Sequence, residues 1–61
     1  MKIKEVINKE RLNDRSVIVH RNENGLPMLL EVIYSGGSNS MALPHTVGFY
    51  TQTENGWERE T

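Results

Sequence analysis

The sequence predicts a small α+β fold: a short N-terminal helix packed on an antiparallel sheet of about four strands. Three observations carry this prediction. Ile3, Val6 and Ile7 recur at the i, i+3, i+4 spacing of one helix stripe. Val17-Ile18-Val19 is a β-branched run of the kind strands favour. Asn-Gly steps at 24–25 and 55–56 each separate two strand-like segments.

The helical segment spans residues 2–11, where Glu5 and Lys9 form an i,i+4 pair in the better orientation. Leu12 falls on the opposite face, so the helix is expected to end near Glu10 or Arg11, with Asn13-Asp14 as a turn. The competing strand reading puts Ile3 and Ile7 on one face but leaves Glu5 between them. The first strand is Ser16–His20, followed by the polar stretch Arg21–Gly25. A two-residue type I′ turn at Asn24-Gly25 pairs Val19 with Leu30, Val17 with Val32 and Arg21 with Met28. The second strand then runs from Met28 to Tyr34. One hairpin face carries Val17, Val19, Met28, Leu30, Val32 and Tyr34, and a one-residue slip would destroy that segregation. The other face, with Ile18, His20, Leu29, Glu31 and Ile33, is too apolar for open solvent and too polar for a core. Pro27 lacks an amide donor and belongs at a strand start or edge.

Residues 35–40, Ser-Gly-Gly-Ser-Asn-Ser, read as a loop, and Met41-Ala42-Leu43 as an apolar island folding back onto the core. The third strand is Thr46–Gln52. Its alternation puts Val47, Phe49 and Thr51 on one face and Gly48, Tyr50 and Gln52 on the other. A turn over Thr53–Gly56 returns the chain into a short strand, Trp57-Glu58-Arg59. Trp57 then shares the face of Tyr50 and Gln52, opposite Glu54. In this reading Val47 and Phe49 fill the core, while Tyr50 and Trp57 gather outside or cap one end.

With 61 residues, the chain is expected to form a single domain over 1–61. Such a chain buries only about 60% of its unfolded surface, and one core of this size supplies roughly 3–5 kcal/mol. There is no cysteine, which removes disulfides and thiolate metal sites. The two histidines lie far apart in sequence, so no structural metal and no cofactor are expected. A tightly packed monomer or a homo-oligomer remains. The N-terminus lacks the apolar run of a signal peptide, and no segment approaches the ~20 apolar residues of a membrane span. A cytoplasmic protein is expected.

The net charge of −1 is unevenly spread. Lys2, Lys4, Lys9, Arg11, Arg15 and Arg21 make the first third basic, whereas Glu23, Glu31, Glu54, Glu58 and Glu60 face only Arg59 in the remainder. The split marks either a nucleic-acid face or two mutually attractive surfaces.

The order Lys2-Ile3-Lys4-Glu5-Val6-Ile7, Asp14, Val17-Ile18-Val19, Gly25-Leu26-Pro27 and Leu30-Glu31-Val32-Ile33-Tyr34 resembles small phage and prophage accessory proteins that open with a helix and continue into a hairpin. The resemblance covers the first half of the chain. It departs at Leu12-Asn13, where that class carries a Leu-Pro step. It implies a setting in which small proteins inhibit or modulate host machinery, and it assigns no functional residue.

The candidate sites are few. Gly36, Gly37 and Ser38 offer backbone amides to an anion, but the Lys-Ser/Thr ending and following helix of a phosphate-binding loop are missing. Lys2, Lys4, Lys9 and Arg11 are candidate phosphate contacts, interrupted by Glu5, Glu10 and Asp14. His20, His45, Asp14 and the loop serines supply catalytic residue types without a catalytic spacing. Tyr50, Trp57 and Arg59 belong to the residue types that dominate interfaces, against the reading of Trp57 as a plug closing a small core. The function expected is a non-enzymatic protein-interaction module of phage type, binding a host protein or a second copy of itself. The alternative is a nucleic-acid or nucleotide-binding module.

Overall fold

The computed structural model describes residues 1–34 and 43–60. The predicted Gly/Ser loop and most of the apolar island lie outside them. Helix α1 (Ile3–Arg11) precedes strands β1 (Arg15–Arg21), β2 (Pro27–Tyr34), β3 (His45–Thr53) and β4 (Gly56–Glu60). The strands form one antiparallel sheet in the order β1-β2-β3-β4. The α+β architecture is therefore as the periodicities predict. Among the described residues, no helix is long and apolar enough to cross a membrane.

The helix starts where Glu5 Oε1 accepts the Lys2 N–H at 3.2 Å, satisfying one orphan donor of the first turn. It ends where Asn13 and Asp14 donate backbone N–H groups to Glu10 and Arg11 at 3.0 and 3.1 Å. Asp14, at φ +60°, then turns the chain into β1, a conformation that Asp tolerates better than most residues. Leu12 is left exposed.

Val17 pairs with Val32 and Val19 with Leu30, as expected. The turn differs. Neither Asn24 nor Asn55 has positive φ, whereas Gly25 and Gly56 do, at +80° and +97°. A type I′ turn requires positive φ at both central residues, so both hairpins use another geometry. In the first, Gly25 donates to Asn22 C=O at 2.9 Å and Asn22 donates to Leu26 C=O at 2.8 Å. The Asn22 side chain accepts from the N–H groups of Asn24 and Leu26 at 2.9 and 3.0 Å. Arg21 therefore meets Pro27, and a register shift between His20 and Arg21 leaves Met28 as the extra residue. The longer turn and the bulge cancel, which preserves the Val–Leu and Val–Val pairs. Met28 is exposed instead of joining the core.

A second bulge reverses the predicted role of β3. Val32 pairs with Gly48 and Ile33 with Thr46, so Val47 is the extra residue. The bulge breaks the alternation, and Val47 packs against the same core as Tyr50. Phe49 is turned to the other face and is 36% exposed. The core is Val6, Leu30, Val32, Tyr50 and Trp57, flanked by Ile3, Val17, Val19 and Val47. Tyr50 and Trp57 thus lie beneath the helix, and Phe49 does not fill the core. The second turn is one residue earlier than expected, pairing Gln52 with Trp57 and Thr53 with Gly56. Trp57 still shares a face with Tyr50 and Gln52, because a two-residue change of partner leaves the side-chain phase intact.

Met1 extends the sheet beyond β4. Its carbonyl accepts the Trp57 N–H at 2.7 Å, and its nitrogen donates to Trp57 C=O at 3.1 Å. This close approach explains Gly56, where a Cβ would stand 2.9 Å from Met1 N.

Candidate interaction face

The covered face of the sheet is built around an acid. Glu10 projects from α1 into the core with 1% of its surface exposed. Burying a carboxylate costs several kcal/mol unless it is paired and hydrogen-bonded. Here Tyr50 Oη donates to Glu10 Oε1 at 2.8 Å and Arg15 Nη1 donates to Oε2 at 3.2 Å. Arg59 Nη1 lies 3.6 Å from Oε1. Burial pushes the carboxyl pKa up, but the Tyr50 and Arg15 hydrogen bonds and the two guanidinium charges outweigh it and hold the group below its usual range. Burial, and then the Glu10 carboxylate, push the Tyr50 hydroxyl the other way.

Arg59 reaches this cluster because of Gly48. Its guanidinium lies across the glycine, where a Cβ would meet Nη2 at 2.6 Å, and Nη2 donates to Val47 C=O at 3.0 Å. Tyr50, Trp57 and Arg59 are therefore brought together, as a lock between helix and sheet. Tyr50 and Trp57 are buried and present no surface to a partner. Trp57 follows the core-plug reading. Lys2, Lys4, Lys9 and Arg11 are exposed along α1 and its N-terminus. Gly36, Gly37 and Ser38 lie outside the described residues.

The opposite face has no layer over it among the described residues. Its apolar groups are Ile18, 46% exposed, Phe49, and the half-buried Leu29 and Ile33. Across the strands, Ile18 is level with Glu31, Glu31 with Phe49, and Phe49 with Glu60. At the centre, Glu31 Oε1 lies 2.9 Å from His20 Nε2, and Oε2 accepts a hydrogen bond from Thr46 Oγ1. The bonds from Thr46 and His20 hold the Glu31 carboxyl below its usual range. Among the described residues, Glu31, Glu58 and Glu60 are the acidic groups of this face, His20 is its one basic side chain, and no Lys or Arg lies on it. The alternation of β1 and β2 marks this half-apolar face in the sequence. Phe49 escapes sequence reasoning, because no residue at Val47 signals the bulge.

His45 stands apart from His20: its Nδ1 contacts Leu43 C=O at 3.1 Å, and its ring meets Tyr34 edge-on at 5.9 Å. No group of three or more metal-ligating side chains converges among the described residues. Comparison with protein-family models, curated proteins and solved structures gives no match.

Proposed function

We propose that this chain is a non-enzymatic protein-interaction module of the cytoplasm that binds through the open face of its sheet. The observation that carries the reading is the composition of that face. Apolar Ile18, Leu29, Ile33 and Phe49 surround the central Glu31 with its partners His20 and Thr46, Glu58 and Glu60 line the β4 side, and no Lys or Arg lies among them. Exposed apolar groups rimmed by polar ones mark interaction sites. The charge selects the occupant: a protein surface that offers apolar side chains flanked by Lys or Arg. The resemblance of the first half to phage accessory proteins supports a target within host machinery. Nucleic acid is disfavoured on this face by its sign.

Affinity capture from bacterial lysate tests the reading when paired with substitutions. The chain, Phe49→Ser, Glu58→Lys/Glu60→Lys and Lys4→Glu/Lys9→Glu serve as baits, each checked for folding by circular dichroism. The expected result is one captured protein, lost with the two face variants and retained by the helix variant, with binding that weakens as salt rises. Capture indifferent to the face substitutions, or a nuclease-sensitive species lost with the lysine variant, overturns it.

A further inference from the structure

The two edges of the sheet are treated differently. The β4 edge is short, carries Glu58, Arg59 and Glu60, and is closed at Trp57 by the reciprocal bonds to Met1. Natural sheets blunt exposed edges with such devices. The β1 edge has none in its middle: Val17-Ile18-Val19 carries no charge, no proline and no bulge, since the extra residue of that hairpin, Met28, is on β2.

The backbone direction along β1 follows from the opposite edge. Both Trp57 backbone groups point outward to Met1, so the Gln52–Trp57 pair is one without mutual hydrogen bonds. In antiparallel ladders bonded and non-bonded pairs alternate. Gln52 and Tyr50 therefore direct their backbone groups toward β2, and Leu30 is engaged by Tyr50. Val19, level with Leu30 on the other side, then directs its N–H and C=O outward, and Val17 does the same. Among the described residues nothing accepts or donates to them.

We infer that β1 is a homodimer edge: two copies pair antiparallel about a two-fold axis at Ile18, joining their sheets into one of eight strands. The register is self-complementary. Val17 of each copy pairs with Val19 of the other through about four backbone hydrogen bonds. Valines meet on the covered side, and the half-exposed Ile18 side chains meet on the open side. The outer pairs set Arg15 against Arg21, a like-charge cost that is reduced because Arg15 is paired with the Glu10 carboxylate, while Arg21 is turned to Gly25 C=O at 2.9 Å. An identical strand thus fits both faces of β1, and a second subunit supplies the burial a disulfide-free chain of this size lacks. The pairing involves the strand edge, so it stands or falls separately from the partner face; it would set two such faces side by side.

The test is sedimentation of the purified chain over a concentration series, together with amide hydrogen exchange. The expected mass is twice 7.0 kDa, with exchange at Val17 and Val19 slowing by tenfold or more as concentration rises. Ile18→Lys sets two like charges on the axis and is expected to return the monomer mass with an unchanged circular dichroism spectrum. Phe49→Ser is expected to keep the dimer. A 7.0 kDa species at millimolar concentration overturns the inference. A dimer in which Val17 and Val19 exchange without protection, or one that Ile18→Lys leaves intact, overturns it as well.

Discussion

Replacing Glu10 by Gln probes the lock between helix and sheet at its centre. The amide keeps an acceptor for the Tyr50 hydroxyl but turns an NH2 group toward Arg15 or loses the Tyr50 bond, since one of its two heads is now a donor. A hydrogen bond to a charged group contributes about 1.5–3 kcal/mol. The two guanidiniums are each about a third exposed, so their charge pairing adds at most about 1 kcal/mol. The expected loss is about 2–3 kcal/mol, most of the roughly 3–5 kcal/mol such a core supplies. Urea unfolding followed by Trp57 fluorescence at pH 7 measures it.

The same substitution has a pH signature. The folded-state pKa of Glu10 lies below its ordinary 4.5. Its contribution is therefore fully present above about pH 5 and is lost as pH falls through the folded value. The gap between the native chain and Glu10→Gln should shrink on acidification from pH 5. Because the gap is a difference, the parallel titration of Glu31 cancels from it. A cost below about 0.5 kcal/mol at pH 7, or a gap that persists unchanged in acid, refutes the assignment of Glu10 as a buried, ionised anchor.

Trp57→Ala empties the largest core position and is expected to cost about 3–5 kcal/mol, leaving the chain unfolded by circular dichroism at 25 °C. Tyr50→Phe keeps the ring but strips Glu10 of its hydroxyl donor, and should cost about 1.5–3 kcal/mol in the same urea assay. Gly56→Ala forces a Cβ at φ +97° against Met1 and should cost at least about 1–2 kcal/mol, read as a lowered melting temperature. Phe49→Ser, on the open face, should cost only about 1 kcal/mol and leave the near-ultraviolet signal of Trp57 unchanged.

Much of the architecture is legible in short-range pattern. The stripe Ile3-Val6-Ile7 gives the helix, with Leu12 marking its end. The β-branched run and the valine–leucine alternation give the first hairpin and its faces. Three features break the inference: two bulges, and a second turn that falls one residue early without changing any face. In the first hairpin a longer turn and a bulge at Met28 offset one another, so the register agrees with the expected one through His20 although the turn does not. At Val47 nothing compensates, and the phase of β3 changes: Tyr50 goes inward and Phe49 outward. Residue hydrophobicity alone favours the opposite, since Phe has no polar atom to bury. The decision is tertiary. Glu10 enters the core from α1 and needs a donor, which Tyr50 has and Phe49 lacks. Gly48 in turn makes room for Arg59. The half-apolar face of the first hairpin was the legible part of the candidate site, and its most exposed aromatic was not.

The most direct measurement of the binding claim is amide chemical-shift mapping of the isotopically labelled chain as the captured partner is added. Perturbations concentrated at Ile18, Leu29, Glu31, Ile33 and Phe49, with the Trp57 indole unmoved, are the result predicted. Perturbations centred on the exterior of α1, or a large shift of the Trp57 indole, would contradict it.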